Sequence, residues 1–266
     1  MKQTKLEKHI NDFHDLCTEI GSYQLLKQKA LEVHFKSDRS PVTDVDIRSS
    51  EMIVNFIRKE FPDDIIVSEE NSSHRSKENS YWLIDPIDGT KNYIKGGSQF
   101  CICISKIINN YPVFGIIYIP STSEFYYAIK NNGCKMINNN KVSKIIISDD
   151  SKKNIFLSSS IKESVIELIK SSLPSHTIIQ MSSAIKFTKL ASNQGVFSAR
   201  LGPTYEWDTA AGQCIIEESG GIFLDREFNR FSYGLSDSFL NGPFFVLNKQ
   251  SDIHTKLIND CLSLLP

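Results

Sequence analysis

Trp82-Leu83-Ile84-Asp85-Pro86-Ile87-Asp88-Gly89-Thr90 is the stretch around which the chain is organised. The apolar run from Tyr81 to Ile84 reads as the end of a buried strand. It delivers two carboxylates three positions apart, with a proline between them and Gly-Thr behind them. Pro86 has no N–H for a sheet ladder and biases Asp85 away from helix, so the strand is expected to stop here. Gly89 lacks a Cβ and lets backbone amides approach a ligand closely. Two carboxylates beside exposed amides suit a hard cation held together with a phosphate. Taken alone, the nine residues also describe a strand-ending turn with solvated acids.

Upstream, Ile65 to Val67 reads as a short strand ending in Ser68-Glu69-Glu70, and Asn71 to Asn79 as a polar loop. Adjacent acids after a strand are ordinarily solvated. Thr43 is set to cap a helix, with Asp46 at the third position of a capping box. That helix turns Val45, Ile53, Phe56 and Ile57 inward and stops near Phe61-Pro62. Without further context, Thr43 and Asp46 are helix caps and nothing more. Lys36 to Pro41 is a turn by composition. Leu6, Ile10, Phe13, His14, Cys17, Ile20 and Leu25 recur at helical spacing, which predicts a long amphipathic helix packed on a sheet. His9 and His14 share no spacing with an acid or cysteine and read as ordinary helix residues.

Downstream, apolar alternation over Phe100–Ile108, Val113–Ile119 and Glu124–Ile129 predicts antiparallel hairpins. Gly133–Ile137 and Lys144–Ile147 add short strands. Asp149 to Asn154 is a polar break, after which strand and helix alternate. Strands are expected at Ile155–Ser158, His176–Gln180 and Val196–Ala199, and helices at Lys162–Ser171 and Ala184–Ala191. Gly202-Pro203-Thr204 turns the chain into a helix, Glu206–Ser219, closed by Gly220-Gly221. Strands Ile222–Leu224 and Phe244–Leu247 and a helix Ile253–Leu264 end the chain. The expected organisation is an N-terminal α+β metal-binding half, 1–150, and a C-terminal α/β half, 151–266, that completes the site.

Composition narrows the function. Of 266 residues, 40% are hydrophobic and 23% charged, an ordinary soluble globular balance. The net charge of -1 and the lack of a basic tract argue against a nucleic-acid partner. No apolar run approaches the roughly 20 residues that span a bilayer. The polar start is unlike a secretory signal. Six scattered cysteines without zinc-like spacing then read as reduced thiols, so a cytoplasmic location is expected, peripheral attachment at the inner membrane face being compatible with it. Cys101 and Cys103 share one face of a strand, and packing is preferred over metal binding because no other soft ligand is near in sequence.

Acids recur at element ends: Asp46, Glu69-Glu70, Asp85 and Asp88, and Asp208 within Glu206-Trp207-Asp208-Thr209-Ala210-Ala211-Gly212. This order resembles the magnesium-dependent, lithium-sensitive sugar and nucleotide phosphatases of the inositol monophosphatase superfamily, over about Leu25 to Val246. Ser40-Pro41-Val42-Thr43, Ser182-Ser183-Ala184-Ile185-Lys186-Phe187, Arg200 to Asp208 and Leu240-Asn241 are similar to the bacterial 3'(2'),5'-bisphosphate nucleotidases of the CysQ type. Three features depart from that pattern: Gln99 where a Glu is expected, Tyr233-Gly234-Leu235-Ser236 without a basic residue, and a rearranged Asn241-Gly242-Pro243.

The resemblance implies a layered αβαβα sandwich, with an antiparallel sheet in the N-terminal half and a mixed sheet in the C-terminal half. It implies removal of the 3'-phosphate of adenosine 3',5'-bisphosphate, with an inositol or other sugar monophosphate as the alternative substrate. It also implies two or three Mg²⁺. Glu69, Asp85 and the Ile87 carbonyl would hold the first; Asp85, Asp88 and Asp208 the second. Glu69 and Thr90 would orient and deprotonate water. Asp46 and Thr43 would support Thr90 or a third ion. Gly89 and Thr90 amides would bind the scissile phosphate, and Glu70 would support the site without touching an ion. Lys186 is a substrate contact or a solvated lysine, and Trp207 reads as core packing. The partner is a small phosphorylated molecule, and a homodimer is one of the assemblies open to the chain.

Independently of any resemblance, converging carboxylates repel one another strongly unless a cation joins them. Hard oxygen ligands are what Mg²⁺ takes.

Overall fold

The computed structural model describes residues 3–35, 41–71, 79–235 and 238–265. Helices α1 (Gln3–Lys8) and α2 (Ile10–Lys27) are followed by strands β1 (Val33–Phe35) and β2 (Pro41–Thr43), helix α3 (Asp44–Glu60) and strand β3 (Ile65–Ser68). Strand β4 (Ser80–Asp88) carries the organising stretch and leads into α4 (Thr90–Ile94). A meander follows: β5 (Cys101–Ile108), β6 (Tyr111–Ile119), β7 (Glu124–Ile129), β8 (Gly133–Asn138) and β9 (Lys141–Ile145). Next come β10 (Asn154–Ser158), α5 (Glu163–Ser172), β11 (Thr177–Met181), α6 (Ile185–Ala191), β12 (Phe197–Arg200) and β13 (Thr204–Tyr205). The chain closes with α7 (Ala210–Glu218), β14 (Ile222–Asp225), β15 (Leu240–Asn241), β16 (Phe244–Leu247) and α8 (Asp252–Leu262). The turn expected at Lys36–Pro41 and the loop expected at Asn71–Asn79 lie largely outside the described residues, as do Ser40 and Ser236.

The layers are those expected. A seven-stranded sheet, ordered β3-β4-β5-β6-β7-β8-β9, faces a five-stranded mixed sheet, ordered β11-β10-β12-β16-β14. Period-two alternation assigns the faces. Trp82, Ile84, Ile102, Ile104 and Phe114 pack with Phe13 and Ile20 of α2 and Ile53 and Ile57 of α3. The opposite face, with Leu83, Cys101, Cys103 and Ile117, packs against Phe187 of α6 and Ala211 and Ile215 of α7. Those helices also meet Phe156, Phe223, Phe244 and Val246 of the second sheet. Its outer face carries α5 and α8 through Val165, Ile169, Leu257 and Ile258. Among the described residues, no helix is long and apolar enough to cross a membrane.

Four local expectations are corrected. The first sheet is not wholly antiparallel: β3 joins β4 in parallel, because the connection over 69–79 is too long for a tight hairpin. The strand does not stop at Pro86. It continues to Asp88 through a bulge, with Asp85 opposite Cys103 and Asp88 opposite Cys101. A proline is tolerated at a bulge, where no ladder N–H is required. The expected helix Glu206–Ser219 is divided, with Glu206–Asp208 forming a 3-10 turn before α7. Finally, β9 begins earlier than expected, at Lys141.

The N-terminal stripe also differs in detail. Leu25 is exposed, whereas Gln24 is fully buried. Gln24 Nε2 donates to Pro86 O at 2.9 Å, and Tyr93 Oη donates to Gln24 O at 2.6 Å. His9 does find an acid, bonding Asp12 at 2.8 Å, and it packs edge-on against Phe61. His14 packs edge-on against Phe125.

The middle layer is tight because α7 crosses β6 over Gly115. A Cβ there would lie 2.6 Å from Ala211 O and 2.9 Å from Cys214 Cβ. Backbone atoms cannot swing aside, so Gly115→Ala is expected to cost about 2–3 kcal/mol in urea unfolding. A midpoint equal to that of the native protein would contradict the packing.

Candidate active site

Three carboxylates from separated segments meet. Glu69 opens the 3-10 turn after β3, Asp85 lies on β4, and Asp208 ends the 3-10 turn before α7. One carboxylate oxygen from each lies within 4.8 Å of the others. The parallel register pairs Ser68 with Ile84, so the next residues, Glu69 and Asp85, emerge side by side. Asp85 accepts the Ile87 N–H at 3.0 Å, and Asp208 accepts the Tyr205 N–H at 2.9 Å. Burial first, and then the charges of Glu69, Asp88 and Asp208, push Asp85 well above the usual carboxylate range. Asp208 is raised by burial, then by Asp88 and Glu69.

The bulge brings in the fourth acid. Positions three apart on a regular strand face opposite sides of a sheet. Here β4 spends three steps where β5 spends two, so Asp88, like Asp85, faces the middle layer. Asp88 accepts the Ala184 N–H and lies 3.8 Å from Cys101 Sγ. One oxygen of Asp88 lies within 4.8 Å of the Cys101 and Cys103 sulfurs, and Asp88 is not part of the three-acid group. Burial raises its pKa, and Lys186 opposes that rise.

Gly89 follows at φ +101°, a left-handed conformation, and forms the N-cap of α4. A Cβ on it would sit 2.7 Å from Gln99 O. Thr90 Oγ1 donates to Ile87 O at 3.0 Å and reaches Asp46 Oδ1 at 3.4 Å. Thr43 and Asp46 form the capping box of α3, and the Thr43 N–H donates to Asp46 Oδ2 at 2.8 Å. Glu70, half-buried in the same turn as Glu69, is outside the three-acid group. Trp207 is buried and stacks on Tyr205 at 4.8 Å, which is packing.

A cleft runs from Asp88 and Asp208 past Lys186, Ser183 and Thr204 to Arg200 and Ser158. Lys186 is no solvated lysine: it donates to Ser183 O, and burial lowers its pKa while Asp88 opposes that. In the sequence Arg200 stands out only as the start of the Arg200–Asp208 stretch. Its guanidinium donates to Ser158 Oγ, to Ser160 Oγ at 3.2 Å and to Pro203 O at 2.9 Å, which aims it into the cleft. The one available signal was an arginine beside a Gly-Pro turn. Gln99, at the departing position, accepts the Ser182 N–H at 3.0 Å and so ties the segment leading into β5 to the α6 entry. Asn241 Nδ2 binds Tyr205 O at 2.8 Å and Thr209 Oγ1 at 2.9 Å, bracing both sides of Asp208. Glu206 opens the stretch that carries Asp208 and is not among the acids expected at the site. It is buried and accepts the Gly234 N–H at 2.9 Å, a bracing role.

This donor set fits a hard divalent cation: every ligand in the three-acid group is oxygen, and a dication offsets both burial and mutual repulsion. Comparison with known proteins gives the family. The sequence profile of the inositol monophosphatase family matches residues 17–262. The 3'(2'),5'-bisphosphate nucleotidase CysQ of Aggregatibacter actinomycetemcomitans is 31% identical over 252 residues, 91% of this chain and 93% of that one. Among solved structures, CysQ of Bacteroides thetaiotaomicron superposes with a TM-score of 0.73 at 25% identity, over 89% of this chain and 96% of its own. The Thermotoga maritima IMPase gives 0.78 at 25% identity, over 96% and 98%.

Proposed function

The chain belongs to the inositol monophosphatase family, and on that premise we propose that it is a Mg²⁺-dependent 3'(2'),5'-bisphosphate nucleotidase. It removes the 3'-phosphate of adenosine 3',5'-bisphosphate to give AMP and phosphate, recycling a by-product of sulfate assimilation. The observation that carries this reading is the meeting of Glu69, Asp85 and Asp208 within 4.8 Å. The substrate class follows the name of the CysQ relative.

Glu69, Asp85 and the Ile87 carbonyl would hold one magnesium ion, and Asp85, Asp88 and Asp208 a second. Asp46 and Thr43 would support Thr90 or a third, weaker ion. Magnesium bound there supplies positive charge against the phosphate dianion and the leaving oxygen. Thr90 and Glu69 orient the attacking water, and Glu69 takes its proton. The water oxygen bonds to phosphorus as the bond to the 3'-oxygen breaks, and that oxygen leaves with a proton from solvent. The Gly89 and Thr90 amides hold the scissile phosphate. Lys186, with Arg200 beyond it in the cleft, meets the ribose or the second phosphate.

Phosphate release from adenosine 3',5'-bisphosphate and from inositol 1-phosphate, under saturating Mg²⁺, tests the reading. The bisphosphate is expected to be favoured by at least about tenfold in kcat/KM, some 1.4 kcal/mol of transition-state binding. Preference for the inositol phosphate would select the sugar-phosphatase alternative. No release from either would remove the enzyme reading. Lithium is expected to inhibit.

The acids also predict a pH dependence. Asp85, Asp88 and Asp208 are all raised in the folded chain. Their contribution to stability is therefore fully present below about pH 4, the unfolded carboxylate value. It is lost as pH rises through the folded values. Magnesium binds the ionised form, so the Tm increase it gives is expected to be larger at about pH 8 than at about pH 5. An increase independent of pH would count against carboxylate ligation.

A further inference from the structure

Cys101 and Cys103 face the middle layer from β5, and each lies across the ladder from an active-site acid. Both thiols are free and buried. Their Sγ atoms are 3.9 Å apart, and Cys101 Sγ is 3.8 Å from Asp88 Oδ2. One ligand atom from each of Asp88, Cys101 and Cys103 lies within 4.8 Å of the other two. A tetrahedral ion with metal–sulfur bonds of about 2.3 Å holds its two sulfurs about 3.8 Å apart. The thiol pair already has that separation. Asp88 lines the cleft, so an ion can reach the pair by way of its carboxylate. Two thiolates select a soft or borderline cation over magnesium.

We propose that Asp88, Cys101 and Cys103 form a site for a soft divalent cation of the zinc or cadmium class, and that filling it inhibits the enzyme by withdrawing Asp88. The inhibitory half rests on the phosphatase reading; the binding half does not. Binding forms two metal–sulfur bonds and one metal–oxygen bond, and both thiol protons leave to solvent. No electrons are transferred. Asp88 already accepts the Ala184 N–H, which fixes the carboxylate beside the sulfurs. Magnesium competes for Asp88 alone, because it has little affinity for the two thiolates.

The test is a Cd²⁺ titration of the metal-free protein, followed by the ultraviolet thiolate-to-cadmium charge-transfer absorption. A band saturating at one equivalent is expected in the native chain, with affinity reduced by about tenfold or more in Cys101→Ala and in Cys103→Ala. No band in the native protein, or an unchanged band in both variants, overturns the site. Phosphate release under saturating Mg²⁺ is then measured with Zn²⁺, each protein referred to its own zinc-free rate. The native protein is expected to be inhibited at a zinc concentration about tenfold or more below that needed for either variant. Equal sensitivity overturns the inhibitory half. A native protein with no turnover before zinc is added overturns the phosphatase reading instead, and the cadmium titration still decides the site.

Discussion

Asp85→Asn is expected to lower phosphate release by about a thousandfold or more, roughly 4 kcal/mol of barrier, while raising the Tm of the metal-free protein. The two effects have one origin. Asp85 is 2% exposed and feels the charges of Glu69, Asp88 and Asp208. An amide keeps the shape and can still accept the Ile87 N–H, but it removes one of the converging charges. Without metal, that removal relieves repulsion and desolvation. With metal, a ligand is gone, so the stabilisation from added magnesium is expected to shrink. Thermal melts with and without magnesium, beside a phosphate assay, read both effects. Near-native turnover would refute the ligand role. A lower metal-free Tm would mean that repulsion is not what Asp85 contributes.

Gly89→Ala is expected to cost about 2–4 kcal/mol, combining left-handed backbone strain with overpacking. The added Cβ would lie 2.7 Å from Gln99 O and 3.3 Å from Phe100 Cα, both main-chain atoms. Relief requires moving the turn that carries Thr90, and about 1 Å of misplacement is enough for a hundredfold loss of rate. Gly96→Ala is the control. Its φ is +74°, yet nothing lies within 4 Å of the added atom. It meets the backbone term alone, on the order of 1 kcal/mol. Equal urea midpoints for the two variants would show that the close approach to Gln99 is not limiting.

These two residues also mark how far the chain could be read unfolded. Asp85, Asp88, Gly89 and Asp208 are conspicuous because their chemistry is unusual at strand and helix ends. The layered sandwich was legible for a similar reason, since period-two runs in one half give way to strand-helix alternation in the other. The bulge was not legible. Spacing alone sends Asp85 and Asp88 to opposite faces, and only pairing with Cys103 and Cys101 shows that they share one. Gln24 was invisible for the same reason: a polar residue on an apolar stripe reads as solvent-facing until Pro86 O is found against it. Arg200 gives no sign of a cleft role in the sequence because Ser158 and Ser160, which orient it, are distant along the chain.

The three-acid cluster draws on both halves of the chain: Glu69 follows β3 and Asp85 lies on β4, whereas Asp208 precedes the helix between the sheets. No local piece of polypeptide can assemble this chelate. Its contacts are non-local and must wait until the two sheets dock, late in the folding reaction. An ion that grips only the finished arrangement leaves the folding rate nearly untouched and slows escape from the native state. A cation held there would thus be a lock on the closed molecule rather than a seed for its formation.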